Sequence, residues 1–321
     1  MRLMRLAGCN AMSIGIFSWT ALEPEEGRFD FSWMDAIMDK LAANRAFAVL
    51  ATPSGAKPAW MAAKYPEVLR VTPDRRRCLW GGRHNHCFTS PVYREKVTII
   101  NTRPAERYKD HPALLLWHVS NEYGGECHCP LCQEAFRGWL KRRYRNDLDA
   151  LNLAWWSGFW SHTYTAWEQV ESPCPHGERN VMHGHTVDWM RFVTDQTIDF
   201  YRHEIGPLKR LAPAIPCTTN LMGFYPGLDY WKLAQELDVV CWDSYPAYHD
   251  RPGDWKQAVA VSFIHNMNRS FKHKPWMQME CSPSVQNWKP VNKLKRPGLH
   301  IVEGLQSSPH TARSSTRARP P

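Results

Sequence analysis

Short apolar runs alternate with longer amphipathic stretches along most of the chain. The runs are bounded by polar or glycine-containing turns, and they occupy residues 12–19, 47–53, 114–119, 216–220, 239–245 and 276–280. Between them, apolar residues at helical spacing predict helices over residues 31–43, 134–144, 187–210 and 230–237. Continuous apolar runs of this length are typical of strands that are buried on both faces. The alternation therefore predicts an α/β fold with a parallel sheet.

The number of strands decides which parallel architecture the chain can form. A chain of 321 residues matches one (β/α)8 TIM barrel in size, and we predict a barrel domain over residues 1–298. The pattern gives about six strands, whereas a closed barrel of this type needs about eight. Residues 1–7 have the pattern of a helix that ends near Gly8. We therefore expect an incomplete barrel, without its first and last strands.

Residues 299–321 differ in composition from the rest of the chain. Their Ser, Thr, Arg and Pro residues leave little to bury, and we predict a basic, disordered tail. The formal net charge is +9, but residues 289–321 contain seven basic residues and one acidic residue, which leaves +3 for the rest. The predicted barrel thus lacks the basic stripe that follows a phosphate backbone. A nucleic-acid partner is not predicted.

The sequence also bears on the cellular compartment. No apolar run reaches transmembrane length, and residues 1–8 are too short for the apolar segment of a secretory signal. The ten cysteines do not resemble a disulfide framework, because three of them fall within residues 127–132. Such crowding indicates a metal site in a reducing compartment. We predict a soluble, cytoplasmic protein without a membrane partner.

Glu122 follows an apolar run and directly precedes Tyr123 and two glycines. This is the pattern of a buried parallel strand whose C-terminal end opens into a loop. In an α/β barrel the loops at that end form the active-site face, so the Glu122 carboxylate is a candidate acid or base. The alternative is a carboxylate held in a surface ion pair.

Glu280 stands in the same context, at the end of the run over residues 276–280. Two glutamates at the ends of two separate strands, on the same face of the barrel, can lie about 5 Å apart. This is the separation used by retaining glycosidases, where one carboxyl is the acid and the other the nucleophile. Asn121 would then bond the 2-hydroxyl of the sugar, and Tyr245 would donate to Glu280. The alternative is two unrelated glutamates at strand ends.

Cys127, Cys129 and Cys132 supply three thiolates within one short loop. A fourth ligand would complete a tetrahedral, closed zinc site of the structural kind. Cys87 is the first choice for that ligand and Cys78 the second. A histidine could take the place of this fourth cysteine, and the candidates are His84, His86 and His128.

Several stretches of the chain resemble one known family when they are taken together. They are residues 117–140, which contain Asn-Glu-Tyr-Gly and Cys-x-Cys-x-x-Cys, and residues 17–24, 83–94, 151–161, 219–224, 243–246 and 279–290. The sequence resembles glycoside hydrolase family 42, the bacterial β-galactosidases, over residues 1 to about 298.

The resemblance implies a TIM-barrel catalytic domain that hydrolyses terminal β-D-galactosides with retention, in an enzyme that is usually a homotrimer. It implies that Glu122 is the acid/base and Glu280 the nucleophile. It also implies that Asn121 contacts the sugar and that Trp288 and Trp160 line the galactose pocket. For zinc-containing members, it implies the ligands Cys87, Cys127, Cys129 and Cys132.

The sequence departs from the family pattern at both ends. Members begin with a strand, and after the equivalent of residue 298 they continue into the eighth strand, a Glu and a His that hold galactose, a trimerisation domain and a small β domain. We therefore expect a truncated relative, produced by a frameshift or a gene fragment, whose activity the truncation could abolish. The alternatives are a glycosidase of the same mechanism for another sugar, such as an arabinoside, and a zinc-stabilised non-catalytic remnant or carbohydrate-binding protein.

Overall fold

Two compact units make up the chain. The computed structural model describes residues 1–174, 182–246, 253–281, 295 and 298–307. The first unit comprises residues 1–215 with residues 227–229, and the second comprises residues 216–226 with the described residues from 230 onward. Each unit has its own parallel strands and its own helices.

Three parallel strands form the sheet described for the first unit. They are β1 (Ala11–Ile14), β2 (Phe47–Ala51) and β3 (Leu114–His118), with β2 in the middle. Leu50 of β2 lies opposite Trp117 of β3, and both side chains are buried. Burial on both faces explains why these strands are visible in the sequence as unbroken apolar runs. Because parallel strands end at the same edge, the residues after β2 and β3 lie side by side, as the hydrogen bond of 2.8 Å from the Thr52 amide to the His118 carbonyl shows.

Eight α-helices belong to the described part of the first unit. They are α1 (Arg2–Leu6), α2 (Trp19–Leu22), α3 (Ser32–Ala43), α4 (Ala59–Lys64), α5 (Pro91–Tyr108), α6 (Pro130–Arg143), α7 (Leu148–Trp155) and α8 (His183–Leu211). The helices predicted over residues 1–7, 31–43, 134–144 and 187–210 are confirmed. Helix α6 begins earlier than predicted, because Pro130 occupies its first turn, where a missing amide hydrogen costs nothing.

Helix α5 is the longest element that the apolar pattern does not predict. Its buried positions recur at helical spacing, but two of them are Asn101 and Pro104, which break the pattern in the sequence. The start of the helix is marked in the sequence. The Ser90 hydroxyl caps it by accepting a hydrogen bond from the Tyr93 backbone amide, and Pro91 is its first residue. Capping rather than periodicity is thus the sequence feature that marks this helix.

The described part of the second unit contains short strands and three helices. In chain order the elements are β4 (Cys217–Thr218), β5 (Asn220–Leu221), α9 (Tyr230–Ala234), β6 (Cys241–Asp243), α10 (Asp254–Lys272), β7 (Met277–Glu280) and α11 (Leu299–Ser307). Strands β5, β6 and β7 pair in that order and in parallel. The strand predicted over residues 216–220 is interrupted at Thr219, and α9 is shorter than the predicted helix over residues 230–237.

The prediction of a disordered tail from residue 299 is wrong for its first nine residues, which form helix α11. The Lys295 ammonium and the Glu303 carboxylate form a buried ion pair of 2.6 Å, and the Gln306 amide donates to the Ala258 carbonyl of α10 at 2.8 Å. The Ser, Thr, Arg and Pro composition that suggested disorder begins only after this helix. Residues 308–321 lie outside the described residues.

Within the described ranges, no strand precedes α1 and none follows β7. Six strand regions are found where six were predicted, if β4 and β5 are counted as one interrupted run. None of the helices in these ranges combines the length and the apolar character needed to cross a lipid bilayer.

Candidate functional site

Glu122 lies just beyond the C-terminal end of β3, in the first unit. Its carboxylate accepts a hydrogen bond of 2.6 Å from the Arg83 guanidinium and one of 3.3 Å from the Asn121 side-chain amide. The Arg83 guanidinium also lies 5.2 Å from the centre of the Phe17 ring. The carboxylate is therefore held at the edge of the sheet by one charged and one neutral donor.

The backbone around Glu122 adopts an unusual conformation. Ser120 and Glu122 have φ angles of 55° and 44°, in the left-handed region, which costs a residue with a side chain about 1 kcal/mol. The end of β2 supports this turn, because the Ser120 amide donates to the Thr52 hydroxyl at 2.8 Å. Gly55 approaches the turn so closely that a Cβ atom there would lie 3.3 Å from the Asn121 nitrogen. The turn is thus fixed by neighbouring backbone on one side.

Tyr123, the next residue, is buried and donates its hydroxyl to the carboxylate of Glu204. Glu204 lies within α8 and is fully buried. Burial raises the pKa of Glu204 to about 7, although Ser54, Tyr123 and Asn101 act in the opposite direction. Near neutral pH this buried carboxyl is therefore partly protonated, unlike an exposed glutamate.

The raised pKa of Glu204 predicts a specific dependence of stability on pH. The native chain keeps the Glu204 proton up to about pH 7, whereas the unfolded chain releases it near 4.5. The native state thus binds more protons in this interval, so the free energy of unfolding should fall as pH rises through it, by up to about 3 kcal/mol. Urea unfolding of the wild type and of Glu204→Gln at several pH values gives the free energy of unfolding of each as a function of pH. The difference between these two free energies should change between pH 4.5 and 7. A difference that stays constant would contradict the assignment.

Glu280 ends β7 in the second unit and has donors on both carboxylate oxygens. The Asn220 side-chain amide donates to Oε1 at 3.1 Å, and the Tyr245 hydroxyl donates to Oε2. The same Asn220 amide donates to Asp243 Oδ2 at 2.7 Å. Asp243 and Glu280 are paired residues of β6 and β7. Neighbouring parallel strands thus bring these four side chains together at their C-terminal ends.

Four cysteine thiols converge in the first unit. The sulfur atoms of Cys87, Cys127, Cys129 and Cys132 all lie within 4.8 Å of one another, and all four residues are buried. Cys87 Sγ is 3.6 Å from Cys129 Sγ and 3.5 Å from Cys132 Sγ. These separations are far longer than a disulfide bond. They are close to the separation of about 3.8 Å expected between thiolates around one tetrahedral Zn²⁺ ion.

The other candidate ligands lie elsewhere. Cys78 is half-exposed and its amide donates to the Arg70 carbonyl at 2.8 Å. His128 bonds the Ser172 hydroxyl at 2.7 Å and stacks on Trp189. Burial lowers the pKa of His84 to about 3, so its ring is neutral, and neither His84 nor His86 belongs to the thiol group. The choice of Cys87 over these alternatives agrees with the arrangement of the thiols.

Small polar contacts surround the thiols. The Val71 amide donates to Cys127 Sγ at 3.4 Å, and the Gln196 side-chain amide donates to Cys132 Sγ at 3.4 Å. Donors of this kind stabilise thiolates and orient metal ligands. The donor set of this group therefore fits a closed zinc site.

Two predicted sugar contacts cannot be compared with the structure, since Trp288 and the side chain of Trp160 lie outside the described residues. Conversely, Arg83, Asn220 and Asp243 belong to the site but are not among the site residues predicted from the sequence. Asn220 and Asp243 lie on strands that were predicted, and their polar side chains at the ends of apolar runs are the signal that identifies them. Arg83 lies in a loop, remote in sequence from Glu122, and no local pattern marks it.

Comparison with known protein families gives a match over almost the whole chain. The sequence model of glycoside hydrolase family 42, described as beta-galactosidase, matches residues 1–314. The curated Beta-galactosidase BglY of Alicyclobacillus acidocaldarius is 60% identical over 313 residues, which are 98% of this chain and 45% of that protein. Beta-galactosidase Pbg of Clostridium perfringens is 55% identical over 313 residues, which are 96% of this chain and 45% of that protein.

Solved structures are similar as well. The crystal structure of a beta-galactosidase from Rahnella sp. R3 has a TM-score of 0.93 and 56% identity, over 97% of this chain and 46% of that chain. A beta-galactosidase from Bacillus circulans sp. alkalophilus has a TM-score of 0.89 and 45% identity, with the same coverage of both chains. The predicted TIM-barrel type of α/β fold is confirmed, and the chain spans less than half the length of these relatives.

Proposed function

The chain belongs to glycoside hydrolase family 42, and from this premise we propose that it is a retaining glycoside hydrolase for terminal β-D-galactosides. The chain is much shorter than its relatives, so similarity alone does not carry their activity over to it. The observation that supports the proposal most directly is Glu280, a strand-end carboxylate with hydrogen-bond donors on both oxygens. A carboxylate held in this way is oriented for attack on an anomeric carbon.

The proposed reaction has two displacement steps. In the first, the Glu280 carboxylate attacks the anomeric carbon while Glu122 gives its proton to the departing glycosidic oxygen, which forms a galactosyl ester on Glu280. In the second, the Glu122 carboxylate takes a proton from water, and the water oxygen displaces Glu280. Two inversions give net retention, and the product is β-galactose.

The neighbours of each glutamate suit these roles. Asn220 and Tyr245 orient the nucleophile through their hydrogen bonds to its carboxylate. The Tyr245 hydroxyl can also reorient when Glu280 loses its negative charge as the ester forms. Arg83 and Asn121 orient Glu122. The buried Asn121 side-chain oxygen accepts no hydrogen bond within the described part of the chain, and it would accept one from a sugar hydroxyl.

We also propose that Cys87, Cys127, Cys129 and Cys132 hold a structural Zn²⁺ ion. When bound, the ion would cross-link the loop around Cys87 to the start of α6, where Cys132 lies. Four thiolates would leave no open position on the metal, so the reaction would not involve it.

Replacement of Glu122 by alanine tests the proposed acid/base role. The value of kcat/KM should fall by about 10²–10⁴-fold for phenyl β-galactoside, whose leaving group needs a proton. For 2,4-dinitrophenyl β-galactoside it should change by less than about tenfold, because this leaving group departs as an anion. Azide should restore turnover of the activated substrate and give β-galactosyl azide, since azide then attacks the ester on Glu280. Steady-state kinetics and product analysis by NMR measure both effects.

The matched control is Glu134→Ala, which removes an exposed carboxylate of α6 that pairs with Arg137. It should leave both rates within about twofold, as surface substitutions usually do. An equal loss for both substrates in Glu122→Ala would contradict the acid/base role. Folded wild-type chain that hydrolyses neither substrate would refute the proposed activity and favour the non-catalytic remnant.

A further inference from the structure

Glu204 is a fully buried carboxyl of the first unit that the proposed reaction does not use. Glu204 lies within α8, has no solvent exposure, and accepts a hydrogen bond from the Tyr123 hydroxyl. A carboxyl group buried in apolar surroundings costs several kcal/mol unless its partners compensate. A hydroxyl or amide acceptor would bind the Tyr123 hydroxyl at a smaller cost. The carboxyl at this place therefore calls for an explanation beyond packing.

The position of Tyr123 supplies that explanation. It directly follows Glu122, at the end of the turn in which Ser120 and Glu122 have left-handed backbone conformations. Such conformations persist only where contacts on both sides enforce them. On one side, the Thr52 hydroxyl accepts the Ser120 amide. On the other side, the Tyr123 hydroxyl donates a hydrogen bond to the Glu204 carboxyl, and we call this contact the anchor of the turn.

The surroundings of Tyr123 make this anchor rigid. Its ring packs edge-on against Phe88 and against Tyr201, in each case with 6.0 Å between ring centres, so that the ring is held in one orientation. The ionisable groups that influence the Glu204 carboxyl include Tyr123 itself, Tyr93 and Arg94 on α5. Arg94 is engaged by Asp199 at 2.5 Å. Ser54 and Asn101 also bond the Glu204 carboxyl, but Tyr123 directly follows Glu122, so its hydroxyl links Glu204 to the turn that carries Glu122.

We propose that Glu204 is a positioning residue for Glu122, and that it acts through the Tyr123 hydroxyl by fixing the turn that carries the Glu122 carboxylate. This inference rests on the acid/base role proposed for Glu122. Glu204 itself takes no part in the chemical steps. A displacement of a catalytic group by about 1 Å can reduce a rate about 10²-fold, so an anchor of this kind has a measurable effect.

The leaving group of the substrate separates positioning from general stability. Tyr123→Phe removes only the hydroxyl, and Glu204→Ala removes the acceptor. Each should lower kcat/KM for phenyl β-galactoside by about 10- to 100-fold and leave kcat/KM for 2,4-dinitrophenyl β-galactoside within about threefold. The double variant should lose no more than the larger single loss, because both residues act through one contact. Equal losses for the two substrates, or losses that multiply in the double variant, would overturn the proposal.

Two further variants complete the test. Glu204→Gln keeps an acceptor for the Tyr123 hydroxyl and should retain activity within about threefold. Asp188→Ala is the matched control, since Asp188 is also a buried carboxylate of α8 and accepts a tyrosine hydroxyl, that of Tyr144, at 2.6 Å. It should destabilise the chain without changing the ratio of the two rates. A changed ratio in Asp188→Ala would overturn the proposal.

Amide hydrogen exchange tests the anchor without any need for turnover. In Glu204→Ala and Tyr123→Phe, a peptide that spans residues 119–125 should exchange at least about fivefold faster than in the wild type, while Glu204→Gln and Asp188→Ala should not change it. Unchanged exchange in both anchor variants would refute the proposal. Hydrogen exchange does not depend on turnover. If the wild type hydrolyses neither galactoside but both anchor variants still exchange faster than the wild type, the proposed activity fails while the anchor stands, so the two failures give different results.

Discussion

Chains that carry Glu280→Ala are expected to lose nearly all turnover, with kcat lower by about 10⁴-fold or more, the scale on which loss of a nucleophile reduces hydrolase activity. The reason is that no other group would form the galactosyl ester. Asp243 shares the Asn220 amide with Glu280, but it is paired on the neighbouring strand and keeps its own hydrogen bond of 2.7 Å. Hydrolysis of 2,4-dinitrophenyl β-galactoside by the purified chain measures the loss.

Azide gives this experiment a second readout. In Glu280→Ala a small anion can occupy the space of the missing carboxylate and displace the leaving group in a single inversion. The product should be α-galactosyl azide, opposite in configuration to the product expected from Glu122→Ala. Glu236→Ala, which removes a carboxylate away from the ends of β6 and β7, should retain wild-type kcat. Substantial hydrolysis by Glu280→Ala would show that another group is the nucleophile.

Loss of one thiol from the cysteine group should have the largest effect on stability. Cys132→Ala removes a fully buried thiol that we propose as a zinc ligand; its Sγ contacts Cys87 Sγ and accepts a hydrogen bond from the Gln196 side-chain amide. A structural zinc site of four thiolates contributes about 10 kcal/mol or more of binding free energy, which is available only to the folded chain. We expect the metal content to fall from one ion per chain to a small fraction, and the thermal unfolding temperature to fall with it. Elemental analysis and calorimetry measure the two quantities.

The control for the metal is Cys78→Ala. Cys78 was the second choice for the fourth ligand, and it lies outside the thiol group. This variant should keep its zinc and unfold near the wild-type temperature, and a chelator should lower that temperature towards the value for Cys132→Ala. Loss of the metal from Cys78→Ala with retention in Cys132→Ala would reverse the assignment of ligands.

How far the sequence predicts this molecule depends on how local each signal is. Strands β2 and β3 are predicted because both faces of each are buried, and such burial leaves an unbroken apolar run. Helix α5 is not predicted from periodicity, because Asn101 and Pro104 lie on its buried face. Helix α11 is hidden in the sequence because it is short and because the Ser, Thr, Arg and Pro residues that follow it give the whole segment the composition of a tail.

The candidate site follows the same rule. Glu122 and Glu280 are predicted because each follows its own strand, and the three thiols of residues 127–132 because their spacing is short. Contacts between remote segments leave no local pattern. Two hydrogen bonds are of this kind. The one between Arg83 and Glu122 joins residues that are 39 positions apart in the sequence, and the one between Tyr123 and Glu204 joins residues that are 81 positions apart. Only the folded chain identifies these partners.

The close approach of the thiols also governs how the protein responds to oxidants. With a bound cation, each sulfur shares its electron density with the metal and is a poor target for peroxide. Cys87 Sγ and Cys132 Sγ lie 3.5 Å apart, so in a chain stripped of the cation an oxidised Cys87 or Cys132 sulfur would react readily with the other thiol to form a disulfide. The resulting cross-link would occupy two ligands and block later uptake of the ion. After depletion of metal under oxidising conditions, added metal alone would not restore the site until a reductant had cleaved the disulfide, whereas after depletion in the presence of a reductant, metal alone would restore it.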